Sequence, residues 1–181
     1  MPANDERIAS LIPSKVTYLE MLKPPRQPSQ LTLISGVSIK RQRDWTLSDY
    51  RRLYSQIGGP YHWADRILMP DGELSLILSD ANVKIYVLYF SSQTAGYIEL
   101  NYRTRGEVEI SYFGILRNYH GKGLGAALLG FALEQAWSHS PQRVWLHTCE
   151  QDDPKAIAFY QKHGFEIYKT EMDEAKILKP E

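Results

Sequence analysis

Apolar and polar residues alternate along several short stretches of the chain, which is the pattern of half-buried β-strands. The alternation predicts a first clear strand at residues 37–43, then three consecutive strands, and later two more. Short polar segments of hairpin length, residues 92–93 and 103–106, join the three consecutive strands. The three consecutive strands are residues 83–91, 95–102 and 107–116, and the two later strands are residues 143–149 and 165–172.

Between some of these strands the apolar residues recur with the period of an α-helix. Thr46 or Ser48 can cap a helix that runs to about Ile57. Asp71 begins a second predicted helix, which runs to about Leu78. Both helices lie between the first predicted strand and the three consecutive ones.

Two further helices follow the three strands. Residues 124 to about 139 carry apolar side chains around most of the helix circumference, so we expect this helix to be largely buried. The last helix has Asp153 at the N-cap, Pro154 at the first helical position and Gly164 just past the end, which are the positions these residues favour.

The order β-α-α-β-β-β-α-β-α-β, with its antiparallel meander, indicates a mixed α/β sandwich with helices on both faces of one sheet. Residues 37–181 are predicted to form this single domain. Residues 1–36 differ because prolines interrupt any long element. In this N-terminal extension, residues 23–30 are predicted to be a proline-rich linker, and residues 16–22 either a short strand or an arm across the domain.

Composition narrows the class of protein. With 181 residues, 43% hydrophobic and 23% charged, the chain has the size and balance of one globular domain. A formal net charge of +0 argues against a nucleic-acid partner. The single cysteine, Cys149, excludes an intramolecular disulfide and is expected to be a small buried hydrophobe. Residues 5–7 are charged and the longest apolar runs are short, so we expect a cytoplasmic protein without a membrane partner.

Three glycines at alternate positions, Gly121, Gly123 and Gly125, follow a predicted strand and open the long helix. In the plainest interpretation they only permit a tight turn with positive φ angles. A dinucleotide site also fits the G-x-G-x-x-A spacing, with Glu150 after the next strand, but only about thirty residues remain for the further βα units that such a fold needs. In the third interpretation, unpaired N–H groups at the helix start bind a phosphate.

The glycine run and the last helix together resemble two motifs of the GNAT superfamily of acyl-CoA N-acyltransferases. The superfamily loop Q/R-x-x-G-x-G/A aligns with residues 120–125, where His120 replaces the usual Gln or Arg. The second motif is similar to Asp153-x-x-Ala156-x-x-Phe159-Tyr160-x-Lys162-x-Gly164-Phe165, in which Asn is commoner at the first position. The resemblance covers residues 37 to about 172.

The resemblance implies a mostly antiparallel mixed sheet of about six or seven strands, in which the strand ending near Ile115 splays from the strand at residues 143–149. It implies acetyl-CoA as co-substrate and no metal. The pantetheine arm would lie in the splayed gap and the pyrophosphate on the amides of the glycine loop. The residues expected to bind the coenzyme are Phe113, Gly114, Ile115, His120, Gly121, Lys122, Gly123, Leu124, Gly125, Ala126, Asp153 and Tyr160.

Acetyl transfer needs a neutral amine, a stabilised oxyanion and a protonated leaving thiolate. Tyr160 is the predicted proton donor, because a phenol is protonated at neutral pH and the resemblance places a tyrosine near the sulfur; alternatively it is a core aromatic. Glu109 lies where some family members carry a catalytic glutamate. Glu99 would lie opposite it in a hairpin centred near Thr104, and such a pair could hold the base or could face solvent. His147 is a third candidate base.

The predicted loop at residues 61–66 sits where the family often builds its acceptor site. Tyr61, His62, Trp63 and Asp65 could bind a cationic amine, although Trp63 could equally cover the core. The predicted function is N-acetylation of a small-molecule or peptide amine. A non-catalytic acyl-CoA-binding or regulatory module is the alternative. The oligomeric state stays open, with a homodimer among the options.

Overall fold

A seven-stranded mixed sheet carries helices on both of its faces in the computed structural model, which describes residues 5–25 and 34–179. The order of the strands across the sheet is β2-β3-β4-β5-β6-β1-β7. The strands are β1 (Ile8–Met21), β2 (Val37–Gln42), β3 (Val83–Phe90), β4 (Gln93–Asn101), β5 (Glu107–Ile115), β6 (Arg143–Cys149) and β7 (Glu166–Leu178). The helices are α1 (Leu47–Gly58), α2 (Asp65–Leu68), α3 (Asp71–Ser79), α4 (Leu124–Trp137) and α5 (Ala156–Lys162).

Two hydrophobic clusters lie on opposite faces of the sheet. Tyr97 and Ile98 are consecutive residues of β4 and therefore point to opposite faces. Tyr97 packs in the cluster that contains buried residues of α1 and α3, whereas Ile98 packs in the cluster formed by α4 and α5. The predicted sandwich is confirmed, and α4 is buried as its wide apolar surface suggested.

The N-terminal residues 8–21 belong to the sheet. Strand β1 lies between β6 and β7 and is antiparallel to both. Proline has no backbone N–H that could donate to a neighbouring strand. Pro13 nevertheless fits within β1, because β1 pairs with β6 only from Val16 onward and no strand lies beside Pro13 on the β6 side. Of the two alternatives for residues 16–22, a short strand or an arm, the structure has a strand, and this strand begins earlier, at Ile8. Residues 26–30 of the predicted linker lie outside the described residues.

The parallel strands β5 and β6 pair over only three positions. Glu107 faces Arg143, and the last pair is Glu109 with Trp145. Beyond that pair, β5 continues to Ile115 and β6 continues to Cys149 without pairing to each other. The expected splay between these strands is therefore present, and it opens one side of the sheet. In the described ranges, no helix is long and apolar enough to cross a membrane.

Candidate active site

A cleft of about 820 Å³ opens where β5 and β6 separate. Its size lies within the range that small-ligand sites occupy. The start of α4, the edge of β5, the end of β6 and the segment leading into α5 form one part of its wall. Residues 61–65 and one end of the β1–β7 ribbon form another part.

The edge of β5 offers backbone groups to this cleft. Alternate residues of a strand direct their N–H and C=O groups to opposite edges. Leu116 donates its N–H to the Ala95 carbonyl oxygen on the β4 side at 2.8 Å. Phe113 and Ile115 therefore direct their N–H and C=O groups to the other edge, where β5 no longer pairs with β6. These two residues, with Gly114 between them, line the cleft.

The glycine loop forms a backbone cradle at the start of α4. Gly121 and Gly123 both have φ of +75°, which side chains with a Cβ rarely adopt. Gly123 is the N-cap of α4 and has no side chain that could cap the helix. The hydrogen bond that begins the helix runs from the Ala127 N–H to the Gly123 carbonyl oxygen. The N–H groups that precede it lie at the positive end of the helix dipole, and this arrangement suits an anion.

The side chains of the loop contribute less than its backbone. The ring of His120 hydrogen-bonds through Nε2 to the Ile115 carbonyl oxygen at 2.8 Å, so it closes the turn instead of reaching outward. Lys122 is not among the residues that line the cleft. The other residues of the run do line it: His120, Gly121, Gly123, Leu124, Gly125 and Ala126.

The last helix begins later than its sequence suggested. Asp153 accepts a hydrogen bond from the Lys155 N–H and the Asp153 carbonyl oxygen accepts one from Ala156, which forms a turn before α5 starts at Ala156. The predicted N-cap at Asp153 is therefore displaced by two residues to Lys155. Gly164, with φ of +94°, ends the helix region as predicted.

Tyr160 presents a phenol at the wall of the cleft. Its ring packs among Phe113, Phe159 and Phe165, and 9% of the residue is exposed, on the wall of the cleft. Burial, together with the carboxylate of Asp152, raises the pKa of the Tyr160 phenol. The phenol therefore stays protonated through the neutral range and can donate its proton.

Aromatic and acidic side chains of residues 61–65 form another part of the wall of the cleft. Tyr61, His62, Trp63 and Asp65 all line the cleft. Asp65 is exposed, while Trp63 is half-buried. Burial and the nearby carboxylate of Asp153 raise the pKa of the Tyr61 phenol. This wall therefore combines phenol and indole surfaces with an accessible carboxylate.

The expected pair of glutamates does not form. The register places Glu109 opposite Asn101, which donates to it at 2.8 Å, and Glu99 opposite Tyr112. An irregularity between Glu99 and Leu100 and a hairpin centred near residue 105 account for the difference. The prediction that the two glutamates lie opposite each other is wrong.

Glu99 is enclosed below the acidic and aromatic wall. Only 1% of it is exposed, and its two oxygens accept hydrogen bonds from Arg66 at 2.6 Å and Tyr50 at 2.7 Å. Neither Glu99 nor Glu109 lines the cleft, whereas His147 does. Arg66 in turn lies over the ring of Tyr112, 5.0 Å from its centroid, so the buried ion pair supports the wall.

Sequence reasoning missed Asp152, which joins both sides of the cleft. Its Oδ1 accepts a hydrogen bond from the Trp63 indole at 2.8 Å, and its Oδ2 accepts from the Thr148 hydroxyl at 2.7 Å and the Cys149 N–H at 3.0 Å. Its neighbour Asp153 had the motif signal, and nothing in the local sequence connects residue 152 to residue 63. Cys149 is half-buried at the cleft, and burial raises the pKa of its thiol.

Comparisons with known proteins agree with this geometry. The model of the acetyltransferase (GNAT) family matches residues 40–165. An uncharacterized N-acetyltransferase of Mycobacterium tuberculosis is 34% identical over 93 residues, which cover 51% of this chain and 59% of the relative. The matched region thus spans less than two thirds of that relative.

Two solved structures are similar in fold. A GNAT family acetyltransferase from Streptococcus pneumoniae has a TM-score of 0.54 and 25% identity, covering 72% of this chain and 87% of the other. An aminoglycoside acetyltransferase from an uncultured soil metagenomic sample has a TM-score of 0.58 and 15% identity, covering 72% and 89%.

Proposed function

Because the chain belongs to the GNAT acetyltransferase family, we propose that it transfers the acetyl group of acetyl-CoA to a primary amine by direct attack in a ternary complex. The continuity of the cleft carries this proposal. One space joins the start of α4, the open edge of β5, Tyr160 and the aromatic and acidic wall. A donor and an acceptor can therefore meet beside Tyr160 without leaving the protein.

Two features of the cleft support coenzyme A as the molecule that carries the acetyl group. The N–H groups at the start of α4 would hold the diphosphate, and a Cβ at Gly121 would meet open space, so the loop leaves room for it. The backbone of Phe113 and the N–H of Ile115 at the open edge of β5 would pair with the amides of the pantetheine arm, whereas the Ile115 carbonyl oxygen is already engaged by the His120 ring. When bound, acetyl-CoA supplies the thioester carbonyl and the thiolate leaving group.

The proton transfers are assigned to side chains of the cleft. As the carbon–nitrogen bond forms and the carbon–sulfur bond breaks, Tyr160 donates its phenolic proton to the leaving sulfur. Backbone N–H groups at the open edge of β5 would stabilise the developing oxyanion. We assign removal of the amine proton to His147, because it lines the cleft and the two glutamates do not.

The acceptor is proposed to be a cationic amine. Asp65, Asp173 and Glu174 line the cleft, and Tyr61 and Trp63 provide aromatic surface beside them. Carboxylates attract ammonium groups, and aromatic faces add cation–π attraction. An aminoglycoside belongs in the test panel because one structural neighbour is an aminoglycoside acetyltransferase.

Two measurements test the proposal. Calorimetric titration with acetyl-CoA should give heat and saturation. A thiol-release assay with sisomicin, 1,3-diaminopropane, an amino-acid amide and a lysine peptide should identify the acceptor. No coenzyme binding would refute the acetyltransferase assignment. Binding without turnover of any amine would favour the non-catalytic acyl-CoA-binding module instead.

A further inference from the structure

The hydrogen bond between Trp63 and Asp152 connects segments 89 residues apart in the chain. Asp152 follows β6 and directly precedes the turn that leads into α5, so it belongs to the side of the cleft that holds Tyr160. Trp63 precedes α2 and packs against Tyr112 of β5. The contact therefore connects a side chain that packs on β5 with a residue that follows β6, the two strands between which the cleft opens.

The Trp63 indole packs directly against Gly58. A Cβ at Gly58 would collide with Trp63 Cε3, Cδ2 and Cγ, whereas a Cβ at Gly114 would collide with Ile57 and make only an ordinary contact, at 3.7 Å, with Trp63 Cη2. Gly114 belongs to the β5 edge that is proposed to receive the pantetheine arm. The position of the indole is thus defined by the end of α1, by strand β5 and by Asp152.

The indole also supports the other aromatic residues of the wall. Its ring centroid is 5.4 Å from that of Tyr54 and 5.4 Å from that of Tyr112. Movement of Trp63 would therefore change the position of Tyr112, which lines the same cleft. Packed aromatic pairs transmit such a shift because the interior has little free space.

Asp152 is not suited to be the general base. Its Oδ1 accepts the Trp63 indole N–H, and its Oδ2 accepts both the Thr148 hydroxyl and the Cys149 N–H. The three hydrogen bonds occupy most of the roughly four acceptor positions of the carboxylate, which leaves Asp152 poorly placed to take a proton from an amine. The arrangement instead fixes the direction in which Oδ1 meets the indole.

We propose that Asp152 is a positioning residue for the acceptor: it holds Trp63 across the cleft and thereby sets where the amine lies relative to the thioester and Tyr160. This inference rests on the proposed function. Loss of the hydrogen bond should weaken productive placement of the amine, because the indole is then held by packing alone. The start of α4, where the coenzyme diphosphate is proposed to lie, makes none of these contacts.

Hydrogen exchange of the indole N–H groups tests the contact without any acceptor. The chain has four tryptophans, so ¹⁵N labelling gives four indole signals. Asp152→Ala should accelerate exchange at Trp63 about tenfold. The buried Trp45 indole has no hydrogen-bond partner among the described residues and serves as internal control. Unchanged exchange at Trp63 would overturn the inference.

Kinetics test the consequence, with the best amine of the panel as acceptor. Asp152→Ala and Trp63→Phe should each raise the acceptor KM about tenfold, whereas the acetyl-CoA dissociation constant for Trp63→Phe should stay within about twofold. Asp152→Asn keeps one acceptor oxygen for the indole and should recover part of the loss. In a Trp63→Phe background, changes at residue 152 should add little, since the shared contact is already gone.

Trp45→Phe is the matched control, because it makes the same substitution in the same hydrophobic cluster without removing a hydrogen bond. It should leave the acceptor KM near the wild-type value. Additive effects of the Asp152 and Trp63 substitutions, or an unchanged acceptor KM, would overturn the inference. Absence of coenzyme binding by the wild type would instead refute the proposed function, and the exchange result would still decide whether the contact exists.

Discussion

Replacing Glu99 by Gln tests whether this carboxylate is a structural ion-pair partner or a catalytic base. The substitution keeps the shape of the side chain and removes its charge. Arg66 would then keep its guanidinium, with only 7% of the side chain exposed, opposite a neutral amide. The remaining buried charge has no carboxylate to compensate it, and that loss dominates the expected effect.

The magnitude follows from burial. Removing one partner of a buried ion pair costs about 3–5 kcal/mol of the free energy of unfolding. A single domain has roughly 5–15 kcal/mol in total, so Glu99→Gln would remove a large part of it. For a chain of this size, the melting temperature should fall by roughly 6–20 °C.

The chain offers a matched surface pair. Arg51 and Asp71 are joined at 2.6 Å, the same distance as Arg66 and Glu99, but 73% of the Asp71 side chain is exposed. Asp71→Asn should therefore cost less than about 1 kcal/mol. Urea unfolding, followed by circular dichroism, compares both variants with the wild type. Equal small losses would refute the reasoning from burial, and full stability of Glu99→Gln with lost turnover would restore the role of base.

Three other results are expected. Tyr160→Phe should lower kcat in the thiol-release assay by about 10²–10⁴-fold with little change in coenzyme affinity, and unchanged turnover would remove the phenol from the mechanism. Gly123→Ala should weaken acetyl-CoA binding in calorimetry about tenfold, because a Cβ disfavours φ of +75° in the cradle. The control Gly106→Ala, at φ of +80° outside the cleft, should leave acetyl-CoA binding unchanged. The stability contributed by neutral buried tyrosines such as Tyr50 and Tyr97, whose phenol pKa burial raises, should be present below pH of about 10 and be lost above it. Unfolding free energies measured on both sides of that pH would contradict this if they were equal.

The glycine cradle and the end of the last helix could be predicted because their signals are local. Glycines at 121 and 123 require positive φ, and Gly164 ends the last helix, so a few consecutive residues define each turn. The same locality explains why Tyr160 could be placed on the cleft wall. The helix boundaries were predicted less accurately. Helix α5 starts at Ala156, two residues later than predicted, because Asp153 caps a turn that precedes the helix.

The part of the cleft that is proposed to bind the acceptor depended on contacts between distant segments. A one-residue irregularity after Glu99 changed the strand register and removed the expected partnership with Glu109. The position of β1 in the sheet and the Trp63–Asp152 hydrogen bond have no local sequence signal. The sequence alone determined the turns, helix faces and backbone cradle, because short-range sterics and hydrophobic periodicity specify them. Tertiary structure alone decided which carboxylates are buried, paired or open to the cleft, because burial and pairing depend on segments that only the folded chain brings together.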